Sequence, residues 1–192
     1  MEFVEPIKDL QKIAAMKEIL RANPHTGLRD EAMFVMGINT GLRVSDILTL
    51  TMDDVLDGTA YREAIVLKEQ KTGKRKIFPL NESVRKVLNT YLSVDIMTKT
   101  TQEKPLFPSQ RKKPMSRVRF WQILNIAADK IGLGHIGTHT LRKTFGYHVF
   151  VRSKGNLALV QKLLNHSSSA ETLRYIGLTQ EELNNAYLEL NL

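Results

Sequence analysis

Residues 138–148 read THTLRKTFGYH, and residues 156–175 read NLALVQKLLNHSSSAETLRY. Together they predict three short helical segments carrying His139, Arg142, His166 and Tyr175. His139 and Arg142 are three residues apart, so a helix puts both side chains on one cationic face. Ser167, Ser168 and Ser169 mark a loop and an N-cap for a last short helix, which delivers the Tyr175 phenol from a separate element. Arginine, histidine and tyrosine without an evident metal cluster suit charge stabilisation of a phosphate combined with an oxygen nucleophile.

Working outward, TGLRVSDILTL at 40–50 sets Arg43 after a glycine turn and before another helix, a junction that suits an arginine aimed into a cleft. Taken alone, it would read as a surface arginine paired with Asp46. AIVL at 64–67 and RKIFPL at 75–80 predict two short strands around EQKTGK, with Gly73 supplying the turn. The result is a basic β-hairpin, by default a solvated loop. Residues 6–21 predict an amphipathic first helix stopped by Asn23-Pro24, and 28–40 a buried core helix ended by Gly41. Residues 82–92 predict a structural amphipathic helix. From 93 to 114 the periodicity is lost, and an exposed loop ending in a charge run is expected. Residues 117–131 predict a helix turning Val118, Trp121, Ile123, Leu124 and Ala128 to a core. In the tail, Thr179 and Glu182 form a capping box ahead of Leu183, Ala186, Tyr187 and Leu190 at helical spacing. No internal repeat is visible.

The chain of 192 residues is long enough to bury one sizeable core. Its net charge of +8 and pI of about 9.7 favour a polyanionic partner, nucleic acid ahead of an anionic membrane surface. No stretch approaches the roughly 20 apolar residues of a membrane span, and the charged start MEFVEPIKDLQK is unlike a signal peptide, so a cytoplasmic location is expected. The absence of cysteine excludes disulfides and thiolate metal sites. The five histidines lack the spacing of a zinc motif.

The ordered set T-G-L-R-x-S-D, hairpin lysine, H-T-L-R, L-L-N-H and, nine residues after that histidine, tyrosine resembles the tyrosine recombinases, the phage integrase family. Each box is weak alone; the order is what carries the likeness, which runs from Arg43 to Tyr175. Asn165 is a modest departure where the family often has L-G-H. The resemblance implies a mostly α-helical α+β catalytic domain with a small antiparallel sheet or hairpin over residues 1–178, and an amphipathic tail over 179–192. The N-terminal DNA-clamping domain that usually accompanies it is not expected here.

The resemblance also implies a partner, double-stranded DNA, and a set of catalytic residues: Arg43, Lys71, His139, Arg142, His166 and Tyr175. Tyr175 would be the nucleophile. Arg43 and Arg142 would neutralise the phosphate with donors that never lose their proton, and His139 and His166 would hydrogen-bond the same oxygens, with His139 also able to accept the tyrosine proton. Lys71, with Lys74 as runner-up, would protonate the departing 5′ oxygen. No cofactor or metal is required. The tail would either fold back on its own domain or dock on a neighbouring protomer, and in the second case the assembly would be a homotetramer on DNA. Three alternatives stand beside this one: nicking and resealing of the type IB topoisomerase kind, a catalytically inactive DNA-binding relative, and a helical interaction module without enzymatic role.

Overall fold

The computed structural model describes residues 4–95 and 104–177, together with 184, 188 and 189. Helix α1 (Leu10–Arg21) starts at Asp9, whose side chain accepts from the main chain of Gln11. Helix α2 (Gly27–Thr40) is the centre of the fold and packs against α1 and against two later helices, α5 and α7. Its Ala32, Met33, Phe34, Val35 and Met36 are all buried, as expected of a helix apolar on every side. The charged residues it buries are paired: Glu31 holds Arg21, and Asp30 holds Arg29 and Thr26.

Two short helices follow, α3 (Val44–Leu48) and α4 (Met52–Val55), the latter closed by a capping box between Thr51 and Asp54. Strands β1 (Leu56–Asp57) and β2 (Ala60–Tyr61) form a small antiparallel pair that periodicity had not marked, being two residues each. Strands β3 (Ile65–Lys68) and β4 (Arg75–Phe78) form the anticipated hairpin, with Lys68 opposite Arg75 and Ile65 opposite Phe78. Lys76 and Phe78 alternate inward along β4 while Arg75 and Ile77 face out.

Helix α5 (Glu82–Asp95) covers α2. The expected exposed loop after it needs correction within its described part, 104–114. Leu106 and Phe107 are buried, Thr51 bridges to Pro105, and Phe107 stacks on Tyr91 with ring centres 5.9 Å apart. A pairing across some fifty residues has no periodic signature. Helix α6 (Arg117–Lys130) also differs in its facing: Phe120, Leu124, Ala127 and Ala128 are buried, while Val118 is 63% exposed and Trp121 only half-buried. The sequence offers two apolar stripes there, and packing against α1 and α3 selects the one through Phe120.

Helices α7 (Thr140–Arg152), α8 (Leu157–Leu163) and α9 (Ser169–Ile176) complete the described core. Helices α2 and α7 approach so closely that a Cβ on Gly37 would lie 2.6 Å from Leu141. The apolar tail stripe of Leu183, Ala186, Tyr187 and Leu190 lies outside the described residues; Asn184, Leu188 and Glu189 are helical. No helix among the described residues is long and apolar enough to cross a membrane.

Candidate active site

Gly41 ends α2 in the left-handed conformation, at φ 61°, and a Cβ there would strike Phe145 at 2.4 Å. The chain therefore turns sharply, and Arg43 stands in extended backbone just before α3. Its guanidinium goes not to Asp46 but to Glu69 at the end of β3, with Nη1 2.9 Å from Oε2. Asp46 is buried and accepts from the main-chain N–H of Gln70 at 2.8 Å, which locks α3 to the hairpin.

Arg142 occupies the first turn of α7 and is 1% exposed. It donates from Nη1 to the Gly41 carbonyl at 2.6 Å and from Nη2 to the Leu164 carbonyl. One side chain thus ties the end of α2 to the end of α8. Glu69 Oε1 lies 4.0 Å from its Nη1.

His139 is the N-cap residue of α7, outside the helix proper, and its Nδ1 is 3.2 Å from the Tyr175 hydroxyl. His166 follows Asn165, whose φ of 52° is one that asparagine, like glycine, tolerates; the departure at Asn165 therefore preserves the turn. The His166 ring centre is 4.6 Å from that of Tyr175, and Arg142 lies 6.0 Å from the same ring. Nδ1 of His166 meets Thr172 Oγ1 at 3.1 Å, and the Thr172 hydroxyl in turn donates to the Ser168 carbonyl at 3.2 Å. Nε2 of the same ring lies 3.7 Å from Glu171 Oε1.

Lys71 lies in the exposed turn between β3 and β4, close enough for its charge to act on His139. Two other hairpin lysines, Lys74 and Lys76, have main-chain partners of their own. Lys74 reaches the Asn165 carbonyl at 3.4 Å, and Lys76 is buried against the Thr40 carbonyl at 3.2 Å.

The electrostatics follow from packing three cations around buried carboxylates. Burial, with Arg142 and Arg43 adding to it, brings Lys76 down to about 8. Burial and the surrounding cations Arg142, Lys71, Arg43 and Lys143 hold His139 below its ordinary value, which keeps it neutral at pH 7. Burial pushes His166 down to about 4, with Glu171 opposing and Arg142 and Arg43 reinforcing. For Glu69 burial acts upward, but the Thr72 hydrogen bond and the two guanidinium groups outweigh it and the net shift is down. Among the described residues, the buried side-chain nitrogen and oxygen atoms without a hydrogen-bond partner belong to Arg43, Asp46, Glu69, Arg142, Asn165 and His166. All are in this one cluster, where a polar ligand would satisfy them. No group of three or more histidine or carboxylate side chains suited to a metal occurs among those residues.

The structure thus brings Arg43, His139, Arg142, His166 and Tyr175 around one point, with Lys71 at its rim. Sequence reading missed Glu69, Lys76 and Thr172 and gave Asp46 only a passing role. The only signal for Asp46 was its place in the arginine box. Glu69 lies beside the hairpin lysine with nothing in its own spacing to mark it.

A family model described as the phage integrase family matches residues 9–182. The chain is 41% identical over 189 residues to a probable integrase/recombinase, YoeC, of Bacillus subtilis (strain 168), covering 97% of each. It is 29% identical over 177 residues to the tyrosine recombinase XerD of Vibrio vulnificus (strain YJ016), covering 90% of this chain and 56% of that one. It therefore spans about half the length of the XerD relative and nearly all of YoeC. Among solved structures, XerA recombinase superposes with a TM-score of 0.77 at 22% identity over 100% of this chain and 66% of that one. XerH site-specific recombinase, bound to its palindromic difH substrate, superposes at 0.75 with 19% identity over 98% of this chain and 54% of that one. Both share the fold.

Proposed function

The chain belongs to the phage integrase family, the tyrosine-type site-specific recombinases, and on that premise we propose that it cuts and rejoins double-stranded DNA through a 3′-phosphotyrosine intermediate. The observation that carries this reading is the 3.2 Å contact between Tyr175 Oη and His139 Nδ1 beside Arg43 and the buried Arg142. Neighbours solved on DNA, such as XerH with its difH substrate and a lambda integrase dimer on a COC′ core site, support double-stranded DNA as the partner.

In this reading the neutral His139 takes the phenol proton. Tyr175 Oη bonds to phosphorus, the bond to the 5′ oxygen breaks with its electron pair on that oxygen, and Lys71 returns a proton to it. Arg43 and Arg142 hold the non-bridging oxygens, on which negative charge grows as the fifth ligand arrives. The phosphate anion favours protonation of His166 Nε2, which then donates to the same oxygens. The covalent bond retains the energy of the broken one, so a second 5′ hydroxyl reverses the step without metal or nucleotide.

Residues 1–178 act as the catalytic domain, in a cytoplasmic protein. Residues 179–192 act as the link between copies, four of which assemble on two DNA sites; deleting that segment should weaken assembly more than the fold, and unchanged recombination and oligomeric state would sink that assignment. The catalytic reading is tested by incubating the chain with nicked suicide duplexes in chelator and looking for a denaturation-resistant adduct. Wild type should form it and Tyr175→Phe should not. An adduct in Tyr175→Phe would assign the nucleophile elsewhere.

A further inference from the structure

Glu69 is 1% exposed, and one of its oxygens has two partners from different parts of the molecule. Oε2 lies 2.9 Å from Arg43 Nη1 and accepts from the Thr72 hydroxyl at 2.5 Å. Thr72 is the residue after Lys71. The second oxygen, Oε1, faces Arg142 Nη1 at 4.0 Å. The main chain of Glu69 closes the same turn, with its N–H donating to the Lys74 carbonyl at 2.9 Å and its carbonyl accepting from Gly73 at 2.8 Å. The Gln70 N–H, donating to Asp46 at 2.8 Å, holds the same turn to α3. Its base is also fastened to the two guanidinium groups by a carboxylate they both face.

We propose that Glu69 is a positioning residue that ties the Lys71 turn to Arg43 and Arg142, so that the proton donor is held over the phosphate those arginines bind. The inference rests on the reading of Lys71 as the donor to the 5′ oxygen. It assigns Glu69 no contact with DNA; the carboxylate acts through Lys71. A buried carboxylate serving only to balance the arginine charges would affect folding and phosphate binding, whatever group leaves.

The leaving group separates the two roles. With sulfur in place of the bridging 5′ oxygen, the phosphorus–sulfur bond breaks to a thiolate that needs no proton, so a defect in proton donation disappears. The experiment compares single-turnover adduct formation on oxygen- and sulfur-bridged duplexes of one sequence, using the full chain. Lys71→Ala, Glu69→Gln and Thr72→Val should each be slow on the oxygen substrate, Glu69→Gln by roughly 10²-fold given the sensitivity of catalysis to a 1 Å misplacement. All three should approach wild type on the sulfur substrate, while Arg43→Ala stays slow on both. Thr72 is exposed, so Thr72→Val keeps the test alive should Glu69→Gln not fold. If Lys71→Ala recovers on sulfur while Glu69→Gln and Thr72→Val do not, this inference is overturned and the Lys71 reading stands. If Lys71→Ala does not recover, the reading of Lys71 fails, and this inference fails with it.

Discussion

Arg142→Lys keeps the positive charge and removes the planar fork, so it separates charge from geometry at the centre of the site. The arginine spans two carbonyls that belong to different elements, Gly41 at the end of α2 and Leu164 after α8. A lysine ammonium on the shorter stem can satisfy one of them. The other loses a charge-assisted hydrogen bond in a buried setting, worth about 2 kcal/mol, and in a domain of this size the melting temperature should fall by about 4–8 °C. The chemistry should suffer more. Loss of one preorganised donor to a developing oxyanion lowers the rate by roughly 10²–10³-fold, although the charge is retained. Calorimetry would give the stability change, and single-turnover adduct formation, well below the melting transition, would give the rate. A variant that melts several degrees lower yet cleaves within about threefold of wild type would refute the assignment of Arg142 to the phosphate. A variant with an unshifted melting temperature would refute the anchoring role of its two carbonyl contacts.

Other outcomes follow from the same geometry. His166 sits near 4 in the folded protein against 6.5 for the free side chain; the unfolded chain binds the extra proton, so its contribution to stability is complete above pH 6.5 and is lost as pH falls through 4. Urea midpoints should drop across that window in wild type and less in His166→Gln; equal drops would place the acid sensitivity elsewhere. Gly41→Ala combines a positive φ with a 2.4 Å clash against Phe145, and should cost more than about 1 kcal/mol and slow cleavage by displacing the carbonyl that holds Arg142. A native-like melting temperature in that variant would contradict the clash. DNA affinity should fall steeply with salt, given the net charge of +8, and a flat salt dependence in a binding titration would argue against a phosphate-dominated interface.

What the sequence disclosed and what it withheld divide along contact range. The helices other than the four-residue α4, the turn at Gly73 and the N-cap among Ser167–Ser169 are decided by residues within one or two turns of each other, and periodicity and capping chemistry read that range directly. The ordered boxes gave the six candidate residues through resemblance, and the fold gathers five of them in one cluster. Residues whose work depends on distant partners stayed hidden. In the string EQKTGK nothing distinguishes Glu69 from a solvated glutamate; it becomes a buried ion-pair partner because Arg43 and Arg142 arrive from segments far along the chain. The four hairpin lysines are alike as letters, and only the pleat of β4 sends Lys76 inward while the turn leaves Lys71 exposed. Arg142 reached the same limit from the other side. Spacing placed it on one face with His139, yet one of its two carbonyl partners, that of Gly41, is 101 residues away. A guanidinium read as part of an open cationic face is in fact a buried strut, and that is why its substitution is expected to register in both melting temperature and rate.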